Sequence, residues 1–135
     1  MGKIRQPEVH SGKNIPKPQE VNITDYKHPI FCFRYIHHDY NLDKCDASEK
    51  VSLIEQIARL SQLTWDEIRL APRHGMGSEK ISKDEIIASK PEIVTSDVDF
   101  LLAFRFQGKK PFIGHRNKFV FHILYIDNKF SVYKH

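Results

Sequence analysis

The sequence has few cysteines and no long apolar segment. Only two cysteines, Cys32 and Cys45, occur in 135 residues, too few for the disulfide framework of a small secreted domain. Cys32 falls in a predicted strand, where a buried free thiol is the commoner state. No apolar run approaches the roughly 18 residues of a spanning helix, and no apolar segment follows the basic N-terminus. We therefore expect a cytoplasmic protein that does not contact a membrane.

The sequence also lacks a glycine-rich phosphate loop, which disfavours an enzyme acting on a nucleotide or a small phosphorylated molecule. One group of metal-ligand type is present, His37, His38 and Asp39. Neighbouring residues of an extended strand cannot all turn toward one ion, and no second cluster has close ligand spacing. We therefore expect neither a metal nor another cofactor.

Positive charge is concentrated near the C-terminus. Residues 105–135 contain seven Lys or Arg and one acid, a net charge of +6, which leaves −2 for the rest of a chain whose total is +4. Such a segment can attract phosphate and steer the association of a nucleic acid. Lysines in turns and on exposed strand edges can equally serve to prevent sheets from pairing with one another.

The chain is predicted to comprise an arm and one domain. Residues 1–28 show no hydrophobic periodicity and hold three prolines, so we expect them to be ordered only against this domain or a partner. Residues 29–135 form one domain by length.

The domain is predicted to begin with a strand, "PIFCFRYI" at residues 29–36, followed by helices. Capping-box spacing at Asp46 and Thr64, each with a glutamate three residues later, predicts two helix starts. A third helix is expected from Ser82 to Pro91. The first helix is expected to bury one apolar stripe, made of Val51, Leu53, Ile54, Ile57, Ala58 and Leu60.

Four more strands are predicted, in "DFLLAFRF", "FIGHR", "KFVFHILYI" and "FSVYKH". Their short connections favour an antiparallel meander with the helices on one face, which is an α+β fold. Strict alternation in the longest strand would place Tyr125 with Phe121 and Ile123, and Ile126 with His122.

Two loops hold a histidine beside an arginine, in "PRHGMG" and "IGHRNK". Cleaving RNA through its own 2′-hydroxyl needs proton carriers and cations on the phosphate, roles that suit His and Arg. Arg105 is expected to share a sheet face with Leu101 and Ala103, where a cation needs a carboxylate or a ligand. His122 is open to interpretation as a core histidine or a functional one. The candidate catalytic residues are His74, His115 and Arg105. The candidate nucleic-acid-binding residues are Arg73, Arg116, Lys118, Lys109, Lys110 and Lys134.

The order of strand, helices and basic antiparallel sheet over residues 29–135, with "AFRF", "GHR" and the terminal "VYKH" on its strands, resembles the RelE-like bacterial ribonuclease toxins. The resemblance implies a cytoplasmic endoribonuclease that cleaves RNA without a metal on the concave sheet face and is neutralised by a protein antitoxin. The arm or a sheet edge would bind that partner. The ending "FHILYID...VY" also looks like a group of small uncharacterised bacterial proteins. The alternative is a non-catalytic phage- or defence-associated protein that binds a protein or nucleic-acid partner.

Overall fold

The structure, a computed structural model, describes residues 27–73 and 75–134. Five strands form one mixed sheet in the order β1-β5-β4-β3-β2. β1 runs parallel to β5, and all other neighbours are antiparallel. The fold is therefore α+β, as predicted. The strands are β1 (Ile30–Cys32), β2 (Glu79–Ser82), β3 (Phe100–Gln107), β4 (Lys110–Asn117) and β5 (Val120–Ile126). The helices are α1 (Ala47–Ser61) and α2 (Trp65–Leu70).

Both helices begin at their predicted caps. The Asp46 carboxylate accepts the Glu49 N–H, and Glu49 accepts the Asp46 N–H, each at 2.8 Å. Thr64 and Glu67 form the same reciprocal pair, so each helix start satisfies its own free donors. No helix in the described part of the chain is long and apolar enough to cross a membrane.

The predicted stripe of α1 is only half correct. Leu53 and Leu60 are buried against the sheet. Val51 and Ile54 are instead 57% and 54% exposed. The buried residues of α1 are Glu49, Leu53, Gln56 and Leu60, so polar side chains fill part of the buried side, and Ala58 is exposed like Val51 and Ile54.

The sheet has a hydrophobic core on each side. We call the side covered by α1 and α2 the helix face, and the side covered by residues 83–99 and 127–134 the loop face. Phe104, Phe112 and Phe121 belong to the helix-face core. Leu101, Ile113 and Tyr125 belong to the loop-face core, together with Ile86, Val98 and Val132 from the covering segments.

Glu49 ties α1 to the sheet from a buried position. Its carboxylate accepts hydrogen bonds from the Lys110 ammonium at 2.9 Å and from the Asn128 amide at 3.0 Å. Burial by itself would raise the pKa of Glu49, but the hydrogen bonds from the Asp46 N–H, Lys110 and Asn128 lower it to about 2. The carboxylate is therefore ionised at neutral pH, and Lys110 is bound to it.

Three of the predicted elements are wrong in extent or type. The helix expected from Ser82 to Pro91 is a short 3-10 helix, Lys83–Glu85, capped by the Ser82 hydroxyl. The last predicted strand makes one isolated bridge, between Tyr133 and Ile86. The fourth strand of the meander is instead β2, which the sequence did not predict and which pairs with β3. The first strand ends at Cys32 rather than residue 36, because the chain turns immediately after it.

A register shift changes the phase of β5. Ile113 pairs with Tyr125 whereas Gly114 pairs with Ile123, so Leu124 is an extra residue on β5. Tyr125 therefore joins Leu124 on the loop face, and Ile126 joins the helix-face core. The prediction that Tyr125 shares a face with Phe121 was wrong because strict alternation does not allow for a bulge.

Gly114 permits the close approach of the Phe121 ring at this point. A Cβ at Gly114 would lie 2.8 Å from two atoms of that ring and even closer to the His122 carbonyl oxygen. Both neighbours are held by the sheet and core, so neither can move away at low cost. Only glycine fits between the two strands.

Replacing Gly114 by alanine is expected to lower the free energy of unfolding by about 3 kcal/mol, because the new methyl group overpacks the junction of β4 and β5. Gly75→Ala is the matched control, since a Cβ there meets nothing closer than 3.6 Å. Urea unfolding measures both variants. Equal stability of the two variants would contradict this account of Gly114.

Candidate nucleic-acid interface

A cleft with a volume of about 830 Å³ lies at the end of the sheet where β3 begins and β4 ends. Its walls come from α2, the loop of residues 93–99, the start of β3 and the turn between β4 and β5. Four cationic and two acidic side chains line it. They are Arg69, Lys80, Arg116 and Lys118 and, of opposite charge, Asp97 and Asp99. The cleft is therefore positive by side-chain count.

Cations and aromatic rings alternate along the helix-face side of the cleft. The Lys80 ammonium lies 4.6 Å from the centroid of the Phe100 ring, and the Arg116 guanidinium lies 4.2 Å from that of Trp65. Leu102 pairs with Gly114, so the same register places Phe100 opposite Arg116. We call Lys80, Phe100, Arg116 and Trp65 the cation–aromatic row.

The Trp65 end of the cation–aromatic row is fixed in the hydrophobic core. Trp65 is buried, and its indole N–H donates to the Phe119 carbonyl at 3.0 Å. Arg116 rests on the Trp65 ring, and its Nε donates to the Lys118 carbonyl at 2.6 Å. Phe100 is 41% exposed, so an aromatic surface remains open to a ligand. Sequence reasoning missed Phe100 and Lys80, because Phe100 has the pattern of an ordinary core residue in "DFLLAFRF".

His115 lies on the other side of β4, facing the loop. Burial lowers the pKa of His115, and the negative charge of Asp97 only partly offsets this. The imidazole is therefore neutral at neutral pH, the state that a general base requires. Hydrogen bonds from the Thr95 hydroxyl and from its own backbone N–H lower the pKa of Asp97, so a carboxylate faces His115.

His122 is directly opposite His115 on β5. Its ring packs edge-on against Tyr35 at 5.4 Å. Its Nδ1 is buried and has no hydrogen-bond partner among the described residues. Burial, and then the neighbouring His115, lower the pKa of His122. The described lining of the cleft does not include it.

Arg105 lies away from the cleft, on the loop face. It donates to Glu79 at 2.9 Å, and Arg73 lies 3.6 Å from the same carboxylate. The β3 residue opposite His115 is Leu101, so Arg105 is four residues farther along the strand, about 13 Å away. The structure thus brings Arg73 and Arg105 together at Glu79, and neither lines the cleft that contains His115. His74 lies outside the described residues.

The other predicted basic residues divide in the same way. Arg116 and Lys118 line the cleft. Lys110 is bound to Glu49, and Lys109 is exposed in the turn between β3 and β4, at the opposite end of these strands. Lys134 is exposed on the C-terminal segment. Only two of the six predicted nucleic-acid-binding residues therefore line the same cleft as His115.

The group His37, His38 and Asp39 is more compact than the sequence indicated. The chain turns here, so the three ligand atoms lie within 4.8 Å of one another, and the expectation of an extended strand was wrong. Both ring nitrogens of His37 are nevertheless engaged, one with the Ser89 hydroxyl at 2.6 Å and one accepting the Asp39 N–H at 3.0 Å. The His37 and His38 rings are also stacked, so their lone pairs do not converge on one point.

The chain matches no protein-family model and shows no significant similarity to a curated protein or to a solved structure. Its function must therefore be inferred from the chemistry of the cleft.

Proposed function

We propose that the protein binds single-stranded RNA in the cleft and cleaves it without a metal ion, with His115 as the general base. The observation that carries the proposal is that the cation–aromatic row and the half-buried, neutral His115 line the same cleft, on opposite sides of β4. The order of a strand, two helices and an antiparallel meander supports it further, as does the net charge of +6 over residues 105–135.

Binding would use stacking and charge together. Bases stack on exposed aromatic rings and on guanidinium planes, and each stacked base contributes about 1–3 kcal/mol. Phe100 and the outer side of Arg116 offer two such surfaces on neighbouring strands. Lys118 and Arg69 supply positive charge for the phosphates that link the stacked bases.

Cleavage would use the substrate's own 2′-hydroxyl. Neutral His115 takes the proton from this group as the oxygen attacks phosphorus, and Asp97 stabilises the imidazolium that forms. Arg116 and Lys118 stabilise charge on the phosphate oxygens. The products are a 2′,3′-cyclic phosphate and a 5′-hydroxyl, whose oxygen is protonated by solvent in the open cleft. In this proposal Arg105 holds Glu79 and does not bind phosphate.

A cytoplasmic location and a neutralising protein partner belong to the same proposal. A non-catalytic interaction protein is the second candidate, and the exposed apolar residues Val51 and Ile54 on α1 favour it. Expression of the full chain alone in bacteria separates the two functions. Growth arrest with RNA fragmentation supports the ribonuclease, whereas normal growth with intact RNA supports the interaction protein.

Arg116→Ala is expected to weaken binding of a fluorescent single-stranded RNA about tenfold, because it removes both a stacking surface and a phosphate contact. The dependence of log affinity on log salt should become shallower by about 0.7. Lys109→Ala removes the same charge outside the cleft and should change the affinity less than twofold. Fluorescence anisotropy measures both variants. Equal losses would show that RNA binds the basic surface diffusely.

His115→Ala is expected to abolish cleavage while leaving RNA binding intact. In the unaltered protein the cleavage rate should rise with pH and level off, with a midpoint below 6.5, because the base must be neutral and burial lowers its pKa. His38→Ala, an exposed histidine, is the control. Gel analysis of the RNA products measures the cleavage rate, in the presence of a metal chelator and with a second substrate that carries a 2′-deoxy group at the cut site. Cleavage that the chelator stops, that proceeds on the 2′-deoxy substrate or that survives His115→Ala contradicts the mechanism.

A further inference from the structure

We infer that the cleft prefers guanine over the other bases and that the Asp99 carboxylate recognises it. This inference rests on the proposed binding of single-stranded RNA and names the base that the site prefers. It starts from a feature that phosphate binding does not explain, a carboxylate inside a positive cleft.

Asp99 differs from the other acid of the cleft. Asp97 accepts the Thr95 hydroxyl and faces His115. Within the described residues, no hydrogen bond or ion pair engages the Asp99 carboxylate, although the Asp99 carbonyl oxygen accepts the Lys83 N–H at 3.0 Å. The backbone is thus anchored while the carboxylate remains available.

Asp99 also lines the cleft together with the open aromatic surface. It directly precedes Phe100, which is 41% exposed and lies opposite Arg116 in the continued strand register. Both residues line the cleft, so a base stacked on Phe100 occupies the same cleft as the exposed Asp99 carboxylate. A carboxylate repels phosphate, so it contributes to RNA binding only where it meets hydrogen-bond donors.

Guanine is the base whose edge matches a carboxylate. Its Watson–Crick edge presents two adjacent donors, N1–H and the 2-amino group, which can pair with both oxygens at once. Adenine and cytosine each place an acceptor beside their single amino donor. Uracil has one N–H between two carbonyl oxygens. Each of these three bases would set at least one lone pair against the carboxylate.

The test compares pentanucleotides that differ only at the central base. UUGUU is expected to bind the full chain about tenfold more tightly than UUAUU or UUUUU, because hydrogen bonds to a charged acceptor discriminate strongly. The inosine oligonucleotide UUIUU, which lacks the 2-amino group, should bind with intermediate affinity. Asp99→Asn should remove the preference for guanine and strengthen binding of UUUUU, because a negative charge is lost. Asp43→Asn removes an exposed carboxylate outside the cleft and should keep the preference.

The possible outcomes separate this inference from the proposed function. Loss of the guanine preference in Asp99→Asn but not in Asp43→Asn supports Asp99 as the residue that recognises guanine. Equal binding of UUGUU and UUUUU by the unaltered chain overturns the guanine inference but leaves RNA binding intact. A preference that survives Asp99→Asn overturns the role of Asp99. Failure of every pentanucleotide to bind overturns both the inference and the proposed function.

Discussion

The close packing of the Phe121 ring against Gly114 is the contact on which the candidate site depends. Because Gly114 has no Cβ, the ring can lie over β4. The ring then packs against Trp65, with 6.2 Å between centroids. Trp65 in turn supports Arg116. Core packing therefore positions a charged side chain at the surface, and removing the glycine should disturb the site as well as the fold.

Burial on both faces of the sheet determines how polar residues are placed. Where a strand is covered on each side, a polar side chain is removed from solvent and needs a partner within the protein. Arg105 on the loop face has Glu79 as its partner. His115 and His122, neighbours on the same face, are instead kept neutral mainly by burial. The same constraint thus gives Arg105 a structural role and leaves His115 able to accept a proton.

Local signals predicted the parts of the fold that depend on nearby residues. The two capping boxes were correct because each is complete within four residues. The α+β class and the strands β3, β4 and β5 followed from β-branched and aromatic runs with short turns. β2 was missed because its four residues, "EKIS", are mostly polar and become a strand only by pairing with β3. The bulge at Leu124 was missed because it belongs to the pairing of β5 with β4, which alternation along one strand does not reveal.

The candidate site was only partly predictable for the same reason. "GHR" identified His115 and Arg116, which lie next to each other in the chain. Phe100 and Lys80 join them only through the pairing of β2, β3 and β4. Arg105 was recognised as a cation that needs a partner, but its partner Glu79 is 26 residues away in sequence. Contacts between distant segments decide which basic residues share a surface, and charge along the chain does not reveal them.

The most direct test of the central claim is amide hydrogen exchange of the full chain with and without a saturating single-stranded RNA. We expect RNA to slow exchange at residues 64–70, 93–100 and 115–118, which surround the cleft. Residues 107–110 and 127–134 carry basic side chains outside it and should exchange at unchanged rates. Slowed exchange confined to those outer segments, or no change anywhere, would contradict the assignment of the cleft as the RNA-binding site.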